Sequence, residues 1–363
     1  MSPKRGTELS DAILPVHVAP AGPESEPGGD PGGIKARLLK PQTLVSFAIA
    51  LAIVVFLVAR LNINLHDVWQ NIKHANPWML LAALAIFYST FILRAIRWRG
   101  MLVNAGINAE HGYTLPSLPR IVAILLLSWF ANCIVPAKLG DGYRCFLLRR
   151  DTGARFSATL GTILAERLTD LVVLFTMMSG AGLLAFHGSL PSEVTNTLIG
   201  GMVLIVLGVI VLSAMMFGKD RFARFIPERF KEHYDHFHAA VFACLRRPTI
   251  PVAVSISIWF FDGARLFLVA HALGADLSYS LAMFVALMSA LLTTLPFTPA
   301  GLGVVEAAII VVLKLVDVDP AMAGSIAVID RVINYWSLIL VGTVLYIWRL
   351  KTELRVDPKP AAS

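Results

Sequence analysis

Apolar residues come in long runs rather than in stripes. Stretches of about 20 residues, the length a helix needs to cross roughly 30 Å of hydrocarbon, occupy 42–60, 77–97, 157–186, 195–217, 250–273 and 321–348. Two further runs, 118–136 and 281–296, lead into segments broken by Pro and Gly. The alternating ten-residue pattern of an outer-membrane barrel is absent. The pattern predicts an all-α polytopic membrane protein. Its expected architecture is six full transmembrane helices plus two re-entrant helical hairpins.

Charge decides which runs cross. Positive loops favour the inside. The linker 61–76 carries one base, Lys73, and 187–194 carries none, so both belong outside. The linker 218–248 carries seven, and Arg349, Lys351 and Arg355 follow the last span, so both belong inside. If 118–136 crossed, Lys138, Arg144, Arg149, Arg150 and Arg155 would fall outside, against the rule. A dip of 118–150 from the cytoplasm and back satisfies every linker. The same reasoning makes 279–316 a dip from the outside. Irregular backbone at that depth has to be packed in protein or line a wet cavity.

Composition agrees with this reading. Hydrophobic residues make up 56% of the 363-residue chain and charged residues 15%, against about 25% charged in soluble domains. Mean hydropathy is +0.70. An ordinary soluble enzyme is excluded. The net charge of +7 fits basic loops facing anionic lipid, with no nucleic-acid partner implied. Residues 1–40, rich in Pro and Gly, read as a disordered cytoplasmic tail without a signal peptide. The membrane domain spans 41–350, and 351–363 form a second cytoplasmic tail. Cys133, Cys145 and Cys244 lie far apart with no CxxC, so they read as apolar filler.

The chain repeats itself. Pro136-Ala137-Lys138-Leu139-Gly140 resembles Pro299-Ala300-Gly301-Leu302-Gly303 at a separation of 163 positions. Glu166-Arg167-Leu168-Thr169-Asp170 resembles Asp330-Arg331-Val332-Ile333-Asn334 at 164. Arg97 and Arg265 each precede a glycine, Gly106 and Gly274, by nine residues. Repeat one covers about 77–186 and repeat two about 250–348, joined by an amphipathic cytoplasmic loop, 218–248. One hairpin enters from each side, so the repeat is inverted, an arrangement frequent in secondary transporters.

The charges inside the membrane carry the candidate chemistry. Glu166 and Asp330 each lie nine residues into their spans, about 14 Å deep at 1.5 Å per residue. They approach the midplane from opposite sides. Glu166 and Asp170, like Asp330 and Asn334, are four apart and share a helix face. The acids of the set are Glu166, Asp170, Asp262, Glu306 and Asp330, and the bases are Arg167, Arg265 and Arg331. A charge at that depth costs at least roughly 2.5–3.5 kcal/mol, so each needs a partner or water. Two readings stand: ion pairs that fix helix register, or a polar site for a lipid headgroup. Pro136 and Pro299 stop helices, and Gly140, Gly301 and Gly303 let the backbone turn. The helices that follow expose N–H groups that Asp141 and Glu306 can cap, or that an anion can meet.

These residues resemble a known family. Gly140-Asp141-Gly142-Tyr143-Arg144, Glu166-Arg167 with Asp170, Pro299-Ala300-Gly301-Leu302-Gly303-Val304-Val305-Glu306 and Arg331 are similar to the flippase-like membrane family. That family comprises the transmembrane region of lysylphosphatidylglycerol synthases and stand-alone relatives, some of them hopanoid-associated. The resemblance covers about 42–350. It implies handling or moving lipids across the bacterial cytoplasmic membrane, and it adds Arg144 to the candidate headgroup set. The soluble aminoacyl-transfer domain is not expected in the roughly fifteen residues after the last span, so lysyl transfer is not expected of this chain. Membrane lipids are the expected partners, with lipid-synthesis enzymes as a further class. No cofactor or metal is implied.

The sequence carries weaker signals besides these. His233, His236 and His238 cluster in the basic loop without a rigid fourth metal ligand. The stretch 221–246 reads instead as an amphipathic surface helix with Phe222, Phe225, Phe230, Phe237 and Phe242 toward lipid. Arg94, Arg97 and Arg99 end the second span as snorkelling anchors or headgroup contacts. The leading function is lipid translocation. The alternatives are an integral membrane enzyme using Glu166, Asp170 or Glu306 as acid or base, and a non-catalytic subunit of a lipid-synthesis complex.

Overall fold

The structure, a computed structural model, describes residues 64–134, 139–187, 192–217, 227–294 and 301–356. The expected tail 1–40, the span 42–60, Pro136, Pro299, Phe222 and Phe225 lie outside the described residues. The described elements are helices joined by turns, with no strand among them.

Each helix starts where the sequence offers a cap or a stop. Helix α1 (Leu65–Lys73) follows Asn64, whose side chain accepts from the His66 N–H. Helix α2 (Pro77–Asn104) follows Asn76, which accepts from Trp78 and Met79, with Pro at the first position. There the missing N–H is harmless and the fixed φ suits a helix. Next come α3 (Leu118–Ile134), α4 (Leu139–Thr152), α5 (Phe156–Ala185), α6 (Ser192–Phe217), α7 (Glu228–Arg246), α8 (Thr249–Ala272), α9 (Tyr279–Thr294) and α10 (Val304–Lys314). Helix α11 (Pro320–Arg331) runs through a π-helical turn (Val332–Trp336) into α12 (Ser337–Val356).

Among the described residues four helices are long and apolar enough to cross a membrane: α2, α5, α8 and the continuous Pro320–Arg349. Leu118–Ile134, Leu198–Ile210 and Tyr279–Thr293 are shorter apolar helical stretches. The protein is thus a multi-pass all-helical membrane protein.

Helices α2 and α8 pack along one another at the centre, and α3–α4 and α9–α10 form the two short helix pairs. The first arm of each pair reaches across to the long helix of the other half: α3 packs on α12 and α9 on α5. Both crossings lean on a glycine. A Cβ on Gly342 would lie 2.5 Å from the Phe130 side chain, and one on Gly182 would lie 3.1 Å from the Phe284 ring.

Helix α7 lies within the stretch read as an amphipathic surface helix, of which 221–226 fall outside the described residues. It starts at Glu228, and its His236, Ala240, Val241 and Cys244 are buried. Gly161 on α5 lies so close to the Phe237 carbonyl that a Cβ would stand 2.5 Å away. The protein-facing side thus carries Ala240, Val241 and Cys244 beside one larger residue, His236. Phe230 is exposed, while Phe237 and Phe242 are half-buried.

Candidate functional site

Arg97, on α2, is 1% exposed and sits at the focus of the largest charge cluster. Its Nη2 donates to Glu166 Oε1 at 2.6 Å and to Asp170 Oδ2 at 2.9 Å. Its Nη1 donates to Asp170 Oδ1 and, at 2.6 Å, to Ser255 Oγ on α8. The four-residue spacing of Glu166 and Asp170 puts both acids on the α5 face that meets this guanidinium. Ser255 Oγ in turn donates to Asp170 Oδ1 at 3.0 Å. Arg144, buried on α4, takes the other Glu166 oxygen at 2.7 Å and lies over the Trp98 ring, 3.6 Å from its centroid. A carboxylate held between two guanidiniums, one of them stacked on an indole, is a fixed device.

A second cluster repeats the first. Arg265 on α8 pairs with Asp330, and its Nε lies 3.6 Å from Asp262. Asn334, in the π-helical turn, donates to Asp330 Oδ2 at 2.7 Å. Insertion of one residue into a helical turn is a frequent mark of functional positions, and here it falls directly after Asp330 and Arg331.

A third pair type recurs at the two hairpin tips. Arg167 Nη2 donates to Asp141 Oδ1 at 2.8 Å, and Arg331 Nε meets Glu306 Oε1 at 3.0 Å. Glu306 Oε2 also accepts the Gly303 N–H at 2.7 Å, so one carboxylate both caps α10 and holds Arg331. Asp141 lies in the first turn of α4, but there the Gly140 N–H is taken by Asn132 Oδ1 at 2.8 Å. Gly301 and Gly303 adopt left-handed φ of +70° and +83°, which favour glycine. Gly140 is required for a different reason: a Cβ there would lie 2.1 Å from the Ser128 carbonyl of α3.

The two halves meet at Arg94 and Asp262. Arg94 Nη2 lies 3.2 Å from Asp262 Oδ2, and its guanidinium lies near Trp129 and Trp259. These pairs involve six arginines (Arg94, Arg97, Arg144, Arg167, Arg265, Arg331) and six carboxylates (Asp141, Glu166, Asp170, Asp262, Glu306, Asp330). The set is neutral, which is how so much charge is carried inside an apolar bundle.

Arg94 and Arg97 overturn the snorkelling reading. They are 5% and 1% exposed and paired, and Arg99 is the exposed member of the three. Ser255 too was missed. Two signals were available. Arg94 and Arg97 share a face at i, i+3 whereas Arg99 does not. Arg94 also precedes Asp262 by the 168 positions that separate Arg97 from Arg265. Arg167 is held by Asp141 rather than by the deeper acids, which belong to Arg97 and Arg144.

Away from this network, Arg120 on α3, Asp151 on α4 and Arg349 on α12 make a smaller cluster at 2.7 Å and 3.5 Å. Among the described residues no group of three His, Cys, Asp or Glu side chains is arranged to hold a metal ion. His236 is buried, with Nε2 3.5 Å from Glu232. Burial and the nearby Arg155 hold its pKa below the usual histidine value. All three cysteines are buried free thiols.

Residues 44–342 match the family described as the lysylphosphatidylglycerol synthase TM region. The chain belongs to that family. Every residue of the charge network lies inside the matched segment. A UPF0104 membrane protein of Methanocaldococcus jannaschii is 31% identical over 63% of this chain and 98% of its own length. A second from the same organism is 22% identical over 90% of the chain and 99% of its own length. The glycosyltransferase AglD of Haloferax volcanii is 23% identical over 91% of the chain but only 58% of its own length. All three relatives are archaeal.

Proposed function

We propose that this member of the family translocates a lipid with an anionic or polar headgroup through a midplane polar path between two inverted repeats. In this reading α3–α4 and α9–α10 are re-entrant hairpins entering from opposite sides of a cytoplasmic membrane, with both termini inside. The observation that carries it is the duplicated network. Arg97–Glu166 corresponds to Arg265–Asp330, and Arg167–Asp141 to Arg331–Glu306. A register device needs no duplication, whereas a path used from both sides does.

Headgroup recognition falls to the tip pairs. The Arg167 side chain is 36% exposed, against 1% for Arg97 and Arg144. A phosphate competes with Asp141 for Arg167 and with Glu306 for Arg331, since guanidinium binds carboxylate and phosphate through the same fork. The displaced carboxylates keep the N-terminal turns of α4 and α10 from being left bare. The deeper clusters around Arg97 and Arg265 hold the frame.

The test is flux of labelled phospholipid, polyprenyl and triterpenoid lipids in liposomes, each variant matched for folded protein. Arg167→Gln is expected to abolish movement of the lipid carried. Glu306→Gln is expected to change its rate while folding is retained, because Gln still caps α10. Lys73→Gln, an exposed change on α1, is the control. Flux in Arg167→Gln and Glu306→Gln equal to that control would reduce the network to scaffold. An enzymatic or accessory role draws on one observation, the match to part of the longer glycosyltransferase AglD. Conversion of lipid to a new product by the purified protein would establish it.

A further inference from the structure

A concave pocket of about 390 Å³ opens between α5, α6 and α8, and none of the ion-paired residues is among its wall residues. That volume lies within the range of ligand pockets. Its walls include Leu168 and Val172 on α5, Ile205 and Gly208 on α6, Ile256 on α8, and Leu245 near the C-terminal end of α7. Thr169 and Thr176 are the polar residues in the wall, and both hydroxyls are spent on their own helix. Thr169 Oγ1 donates to the Ala165 carbonyl and Thr176 Oγ1 to the Val172 carbonyl, each at 2.9 Å. The pocket therefore presents carbon. A headgroup has nothing to bind there, and a hydrocarbon chain has everything.

The glycine in the wall is informative. Gly201 is needed for close packing, since a Cβ there would lie 2.6 Å from the Phe175 ring. At Gly208, two turns on, a Cβ would meet only Leu168 Cδ2, at an ordinary 3.4 Å. Packing alone does not require glycine at 208. The missing side chain instead keeps the pocket open. After Leu245 the chain continues as Arg246 and Arg247, both exposed. Two exposed cations directly following a wall residue of an apolar slot complement a lipid whose phosphate carries a net negative charge.

We propose that this pocket holds one acyl chain of an anionic phospholipid, its headgroup phosphate beside Arg246 and Arg247. The site is separate from the buried network and stands whether or not the protein translocates lipid. Snug fit gives the bound lipid a residence that the rest of the lipid-facing surface lacks. The exposed Leu340 and Val344 on α12, a helix that contributes nothing to this pocket's wall, offer a comparison surface.

The experiment is photolabelling of the full protein in phosphatidylcholine vesicles doped with phosphatidylglycerol whose acyl chain bears a diazirine. Crosslinks are expected to concentrate on Leu168–Met177 and Ile205–Val209, severalfold above the α12 surface. Gly208→Leu, which fills the slot, should cut them severalfold and leave labelling of α12 unchanged. Ile256→Trp fills the same slot from the opposite wall and guards against a folding artefact of the first variant. With a diazirine phosphatidylcholine the labelling should be weaker, and Arg246→Gln with Arg247→Gln should make the two lipids equal. Labelling equal to that of α12, or insensitive to both filling variants, overturns the acyl site. Phosphatidylcholine labelling as strong as phosphatidylglycerol in the unmodified protein overturns the anionic preference.

Discussion

A buried arginine cannot shed its proton, so each one in this protein is a demand for a carboxylate. Arg97 shows the demand met fully, with two carboxylates and a serine hydroxyl around one guanidinium. Removing it strands Glu166 on Arg144 alone and leaves Asp170 with only Ser255. Arg97→Ala is therefore expected to destabilise by about 3–5 kcal/mol, the usual penalty for breaking a buried pair from one side. Thermal unfolding in detergent measures this, and a change within error of the Lys73→Gln control would contradict it. Arg97→Lys should restore little, because an ammonium cannot reproduce the fork that reaches both acids. The acids of this cluster were legible in the sequence because each interrupts an apolar run. Their partner was not, because Arg97 sits near the end of its run, where an arginine ordinarily reaches for water. Only its i, i+3 relation to Arg94 and its counterpart at Arg265 separate the two cases.

At the level of elements, length and hydropathy marked the starts of α2, α3, α5, α6, α8, α9 and α11 to within three positions, since those quantities follow directly from the run of side chains, whereas α2 and α12 run on past the apolar stretch to Asn104 and Val356. What they could not mark is how helices approach one another. Gly140 reads as a turn residue, yet it lies inside α4 and is glycine because the α3 backbone passes against it. Gly140→Ala must push the two arms apart, with an expected loss of about 3 kcal/mol and of the Gly140 N–H bond to Asn132. An unchanged melting temperature would show that the arms separate freely. The π-helical turn after Arg331 was equally invisible, because no residue type encodes one. Helix α7 yields a pH prediction. His236 is packed against α5 with Arg155, Glu232 and Asp235 as its charged neighbours. Its pKa is lowered in the folded protein, so the unfolded chain binds the proton more readily. Stability from neutral His236 is full above the ordinary value of about 6.5 and is lost as pH falls below it. Melting temperature should drop between pH 7 and 5, and His236→Gln should flatten that drop. An equal drop in both proteins would place the acid sensitivity elsewhere.

Across the whole molecule, the two halves differ in one informative way. Asp170 corresponds to Asn334, so the first half carries a carboxylate that the second lacks. The first half also carries Arg144, and the positions 163 and 164 residues after it are Ala307 and Ala308. The extra acid and the extra base arrive together. Their hydrogen bonds go to other residues: Arg144 bonds Glu166, and Asp170 bonds Arg97 and Ser255. They are coupled through the sum of charge in one low-dielectric region, where an unbalanced unit is expensive. The second half shows that the frame closes with neither member, using Asn334 to satisfy Asp330 instead. A double-mutant cycle follows. Asp170→Asn leaves an excess positive charge, and Arg144→Met leaves an excess negative one, so each alone should destabilise strongly. The double variant restores the neutrality of the whole set and removes the two members that have no charged counterpart in the second half. It should therefore be more stable than the sum of the single losses by about 1–3 kcal/mol. Melting of the four proteins in one detergent gives the coupling directly. Additivity within about 0.5 kcal/mol would mean that contacts alone, and not regional charge balance, decide which acids and arginines this membrane interior can carry.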